Sequence, residues 1–128
     1  MRMTQLSVFL SNSLGRLESM TKLLADASVN INTITILESG DYGIVRMIVD
    51  KPKDACKVLQ DGGFSCKLVD VLAVEVGDKP GALYELLKKT KDAGVNLEYM
   101  YAMTKPLSQK PLMLMSFKDI DAAEKILD

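Results

Sequence analysis

The sequence predicts an α+β protein built from two copies of a βαββαβ unit. Three observations predict it. The chain matches itself at an offset of 66 residues. Each copy alternates short apolar runs of period two with stretches of helical period. And the junction after the first strand, "NSLGRL" at 12–17 and "DKPGAL" at 78–83, places glycine and leucine identically in both copies.

Laying 4–35 on 70–101 gives nine identities in 32 positions, where ordinary residue usage gives about two. Leu6 meets Leu72, Val8 meets Val74, Gly15 meets Gly81, Val29 meets Val95 and Asn30 meets Asn96. After a two-residue insertion the offset becomes 68, and Met47 meets Met115, Ala55 meets Ala123 and Leu59 meets Leu127. The expected domains are therefore 1–69 and 70–128.

In the first copy, 5–10 alternates Leu6, Val8 and Leu10 on one face of a strand. Residues 14–28 put Leu17, Met20, Leu24 and Ala27 at helical spacing. The Ile- and Thr-rich 30–37 and the run 44–49 form a hairpin around the turn cluster "SGDYG". A short helix follows over 52–60, with Pro52 in its first turn and Ala55, Val58 and Leu59 inward; "DGG" ends it, and 64–69 is a fourth strand. The second copy repeats the order: a strand at 70–76, a helix at 80–93 with Leu83, Leu86, Leu87 and Ala93 inward, strands at 95–103 and 112–117, and a helix at 121–127.

This order is the ferredoxin-like sandwich: an antiparallel sheet with both helices on one face. The second copy lacks its last strand, so either the chain is cut or another segment covers that edge, since a bare strand edge invites association. No turn signal separates Cys66 from Val76, so the fourth strand of copy one is expected to run directly into the first strand of copy two. The strands at 44–49 and 112–117 are apolar on both faces apart from Arg46 and Ser116. That predicts a second face buried against another sheet or another subunit, and with it a homodimer.

Composition narrows the function. The net charge is −1, and the halves on either side of Val69 carry +1 and −2. Neither a nucleic acid nor an anionic membrane is the expected partner. There is no 18-residue apolar run and no signal-peptide core, which points to a cytoplasmic protein. The chain has no histidine, no nucleophile motif and no paired carboxylates at a catalytic spacing, so an enzyme is not expected. An RNA-recognition sheet would carry stacking aromatics on its third strand, where only Phe117 stands. A metal chaperone would carry CxxC in the first loop; neither loop has it, and no metal or other cofactor is expected. Cys56 and Cys66 are read as small buried residues in a reducing compartment.

The junctions carry the ligand chemistry. Pro80 has a fixed φ and no N–H, which suits a helix's first turn. Gly81 permits a tight bend or a close approach. The helix N-terminus behind it offers free N–H donors and partial positive charge to a carboxylate, and Asp78 offers the opposite sign to an ammonium. Such a loop matches a free α-amino acid. In copy one, Asn12 replaces Asp78 and Leu14 replaces Pro80. Taken singly, the glycines also serve any tight strand-to-helix turn, and Asn30 and Asn96 any helix end.

The repeated pattern of strand, x-N/D-x-P/L-G-x-L, helix and A-x-V-N-I/L resembles the ACT domain. "SNSLGRLESMTKLLADASVNI" and "GDKPGALYELLKKTKDAGVNL" both match it, so the resemblance spans the chain as two tandem copies. It implies small regulatory βαββαβ modules that bind amino acids or related metabolites at domain interfaces. In serine-sensing members, the polar residue three before the loop glycine and the Asn of V-N-I hold the effector. Carried over, these are Asn12 and Asn30, and Asp78 and Asn96. The expected ligand-binding set is Asn12, Ser13, Leu14, Gly15, Asn30 and Ile31 in copy one, and Asp78, Lys79, Pro80, Gly81, Asn96 and Leu97 in copy two. A histidine often precedes the loop in that subgroup; Leu10 and Val76 stand there here. With no catalytic domain attached, the resemblance implies a sensor that modulates a separate enzyme of amino acid metabolism. The alternative is an oligomerisation module without a ligand site.

Overall fold

In the computed structural model, which describes residues 1–103 and 111–127, the chain divides into two compact units. One is Thr4–Val69. The other is Met1–Met3 together with Asp70–Asp128. The elements are β1 (Arg2–Ser11), α1 (Arg16–Asp26), β2 (Ile31–Ser39), β3 (Tyr42–Val49), α2 (Pro52–Asp61), β4 (Ser65–Glu75), α3 (Ala82–Asp92), β5 (Leu97–Ala102), β6 (Leu112–Phe117) and α4 (Ile120–Leu127). This is the tandem ferredoxin-like arrangement that the periodicities predicted.

In Thr4–Val69 the strand order is β2-β3-β1-β4, with β3 antiparallel to both of its neighbours. Alternation sets the inner face. Leu6, Val8 and Leu10 of β1 and Val45, Met47 and Val49 of β3 pack with Met20 and Leu24 of α1 and Ala55 and Leu59 of α2. Leu17, expected inward, is 38% exposed, because it sits in the first helical turn beyond the edge of this core.

In the other unit the order is β1-β4-β6-β5, only the first residues of β1 taking part. Its core gathers Leu72, Val74, Val95, Met115, Phe117 and Ala123, with Leu86 and Leu87 packed partly against it. Where copy one has Leu24, α3 has Thr90, which is buried with its hydroxyl donating to Leu87 O at 2.8 Å. A buried hydroxyl is tolerable because that backbone carbonyl satisfies it. Ala93, expected inward, is exposed at the helix end.

The edge that a fourth strand of copy two would occupy is filled by the N-terminus. Met1 and Ala73 exchange backbone hydrogen bonds, Ala73 N to Met1 O at 2.7 Å and the Met1 amine to Ala73 O at 3.2 Å. Next to it, the Arg2 guanidinium donates to Asp121 (2.7 Å) and Glu124 (3.1 Å) of α4 and lies 3.7 Å from Asp70. Strand β4 runs without a turn from Ser65 to Glu75, as the missing turn signal predicted.

The second sheet face is buried in part, while Phe9 and Leu37 on that face stay about half exposed. Gln5, Thr33 and Ile48 in one unit, and Val71, Ala73, Leu112, Leu114 and Ser116 in the other, are each 6% exposed or less. Among the described residues, no helix is long and apolar enough to cross a membrane.

Candidate functional site

Each junction is a tight turn followed by an uncapped helix. Arg16 N donates to Ser13 O (3.3 Å), and Ala82 N donates to Lys79 O (3.2 Å). The third residue of each turn is glycine, with φ 86 and ψ −3 at Gly15 and φ 87 and ψ −10 at Gly81. These are the values of the third position of a type II turn, where a side chain is strongly disfavoured. Pro80 therefore holds the second turn position, and the helix begins at Ala82 rather than at Pro80. The correction has a local cause, since left-handed Gly81 cannot be a helical residue. Both glycines are N-caps, and no side chain caps either helix. The N–H groups of the first turn, at Leu17 and Glu18 and at Leu83 and Tyr84, so face out of each loop as donors.

The polar residues differ between loops. Asn12 is tied to the β2–β3 hairpin: its backbone N donates to Asp41 O (2.7 Å), and its Nδ2 donates to Glu38 Oε1 (3.2 Å) and Gly40 O (3.3 Å). With both amide hydrogens used, Oδ1 is its open group, an acceptor suited to an ammonium. Ser13 Oγ lies 3.0 Å from Ser11 Oγ. Leu14 is fully exposed at the turn's tip. Arg16 follows, its guanidinium 4.2 Å over the Phe64 ring. In the second loop Asp78, Lys79 and Pro80 are all exposed.

Beside the second loop opens a cavity of about 230 Å³, walled by Val74, Gly77, Ala82 and Leu86 and carrying Glu75, Glu85 and Lys89. Sequence reasoning missed Glu85 and Lys89. Their only signal was one turn of helical spacing behind Gly81, a spacing that any solvated helix face shows.

The asparagines lie elsewhere. Asn30 N donates to Asp50 Oδ1 (3.0 Å), its Nδ2 donates to Asn32 Oδ1 (2.9 Å), and its carbonyl accepts from Asp50 N. Ile31, beside it, pairs with Val49 at the end of β3. Asn12 adjoins Asp41, at the beginning of β3. The length of β3, roughly 25 Å at 3.3 Å per residue, separates the two. In the second unit, Val76 bonds Pro111 before β6, while Asn96 O accepts from Lys118 N after it and Leu97 pairs with Phe117. Asp78 and Asn96 thus lie at opposite ends of β6. Asn96 and Leu97 line a separate cavity of about 390 Å³ with Leu87, Thr90 and Lys91. No repeat brings its own loop and its own asparagine to one small ligand.

Duplicated βαββαβ units, each with a glycine turn opening onto an uncapped helix, define a tandem pair of small ferredoxin-like domains. The sequence pattern of the ACT domain pair matches residues 1–127, and the chain belongs to the ACT domain family. Protein BT0572 of Bacteroides thetaiotaomicron is similar at 33% identity and a TM-score of 0.89, over 98% of this chain and 86% of that one. The ligand-free regulatory subunit of aspartate kinase from Thermus thermophilus shares the fold at 14% identity and a TM-score of 0.63, over 98% and 92% of the two chains. Aspartokinase III of E. coli, solved in complex with lysine and aspartate, shares it at 13% identity and a TM-score of 0.53, over 98% of this chain and 29% of that one. No curated protein matches the sequence. Among the described residues, no group of three His, Cys, Asp or Glu could hold a metal ion.

Proposed function

We propose that this ACT pair is a cytoplasmic sensor that binds a free amino acid at an ACT–ACT interface and thereby modulates a partner enzyme of amino acid metabolism. The observation that carries the proposal is the duplicated loop. In both copies an acceptor, Asn12 Oδ1 or Asp78, precedes a left-handed glycine and a helix with open N–H donors. An acceptor for the ammonium and donors for the carboxylate are what a zwitterion needs.

Because Asn12 and Asn30 sit at opposite ends of β3, a ligand held by both is held by two domains. The proposed assembly is a homodimer in which the loop of one copy, residues 12–15, faces Asn30 and Ile31 of the second copy. Exposed apolar residues at the loop end, Leu14, Phe9 and Leu37, suit such an interface, and Phe9 and Leu37 flank Ile44 on neighbouring strands. Binding across two domains favours one relative arrangement of them, which is how a small ligand changes what a partner enzyme meets. The regulatory subunit and the lysine- and aspartate-bound aspartokinase support this reading by sharing the fold.

The test is a thermal-shift screen of the purified chain against the common amino acids. A ligand present at 100 times its Kd adds about 2.7 kcal/mol, several degrees for a domain of this size. One or two clear hits are expected. A flat screen would instead favour an interaction module without a ligand site.

A further inference from the structure

The two cysteines sit on facing elements, Cys56 on α2 and Cys66 on β4. Both are buried free thiols, and both line one cleft. Gln60, one helical turn beyond Cys56, spans the pair: its Nε2 donates to Cys56 Sγ at 3.5 Å and to Cys66 O at 3.0 Å. The thiols floor an open cleft of about 480 Å³ rimmed by Lys53, Lys57 and Lys67, with no carboxylate among its lining residues. Lys57 is ion-paired with Asp61 at 3.3 Å, and Lys53 and Lys67 complete the rim. Packing alone does not require two thiols on one such cleft, since alanine or valine fills a small apolar contact equally well.

We propose that Cys56 and Cys66 form a reversible dithiol–disulfide site, oxidised by a small anionic disulfide of the glutathione class that the lysines draw into the cleft. The Cys56 thiolate attacks one sulfur of that disulfide. The S–S bond breaks, one half leaves as a thiolate and takes up a proton, and a mixed disulfide remains on Cys56. Cys66 then gives its proton to solvent and attacks Cys56 Sγ, and the second half leaves in the same way. The two protein thiols lose two electrons, and the small disulfide gains them as two thiols. Burial pushes the Cys66 thiol up, and the neighbouring Cys56 adds to this. Cys66 therefore keeps its proton while Cys56 attacks, and the second step quickens as pH rises. Gln60 is the latch over the pair.

The experiment is incubation of the full chain with oxidised glutathione, followed by intact mass, thiol titration and peptide mapping. The expected result is loss of two hydrogens and of both thiols, with one Cys56–Cys66 cross-linked peptide that dithiothreitol reverses. Gln60→Ala is expected to speed the reaction several-fold, and Cys66→Ala to stop it at a glutathione adduct on Cys56. A wild-type product that carries only a glutathione adduct, a disulfide between two chains, or a reaction seen only in urea would overturn the proposal. If Cys66→Ala does not fold, the wild-type peptide map alone decides.

Discussion

Gly15 and Gly81 hold the same left-handed backbone conformation, φ 86 and φ 87, at equivalent points of the two repeats. A Cβ at either site meets no atom within 4 Å, so substitution costs conformation and not space. Gly15→Ala and Gly81→Ala are each expected to destabilise by about 1–2 kcal/mol, read as a lower urea midpoint at unchanged slope. Unchanged stability in both would contradict the turn geometry.

Leu14 occupies the turn position that Pro80 holds in the second repeat, and its N–H joins no hydrogen bond in the turn. Leu14→Pro is therefore expected to stabilise by about 0.4–1 kcal/mol through the unfolded chain. Calorimetry of the variant checks this, and a lowered Tm would show that the two turns differ at their second residue.

Ser28 is the one described non-glycine residue at positive φ, 58, and it ends α1 where Gly94 ends α3. Behind it Val29 N bonds Leu24 O at 2.9 Å, as Val95 N bonds Thr90 O behind Gly94. Glycine keeps these backbone bonds and removes the Cβ crowding. Ser28→Gly is expected to gain about 1 kcal/mol, a rise in Tm of a few degrees.

Most of the fold was legible because alternation and helical spacing are local signals that the 66-residue offset doubled. The pairing of Leu6, Val8 and Leu10 with α1 and α2 follows from period alone. What fills the edge of copy two was not legible. Met1 and Arg2 are more than 70 residues from Ala73, and nothing in "MRM" marks an edge strand. Of the candidate site, the loop residues were found because glycine and proline report backbone geometry. That Asn12 and Asn30 stand at opposite ends of β3 follows only from the βαβ connection, which returns the chain to the far end of the sheet before β2 begins. The cleft that Cys56 and Cys66 share had no sequence signal, since their spacing forms no motif.

The buried Cys66 thiol makes stability depend on pH in a known direction. Burial raises its folded value above the ordinary 9.0. Below that pH, both states keep the proton and the group contributes no slope. Above it the unfolded chain binds fewer protons, so stability falls as pH rises, by up to about 1.4 kcal/mol per pH unit. Urea titrations from pH 8 to 10 in reducing buffer are expected to show a steeper loss for the wild type than for Cys66→Ala. Equal slopes would mean that the thiol ionises alike in both states.

The two-domain ligand site makes the sharpest demand on the proposed function. Asn12→Ala and Asp78→Ala are each expected to weaken amino acid binding about tenfold or more, the loss of one charge-assisted hydrogen bond, and both positions are exposed enough to leave the protein folded, although Asn12→Ala also gives up its two hydrogen bonds to the hairpin. Asn12→Ala copies mixed with Asn30→Ala copies carry the argument further. If a ligand spans the loop of one copy and the asparagine of another, each single variant lacks a complete site of that kind, while a mixed dimer holds one intact. Titration calorimetry after mixing and re-equilibration is expected to recover part of the wild-type affinity at a reduced number of sites. No recovery, with both variants dimeric, would mean that Asn12 and Asn30 serve different ligands or none.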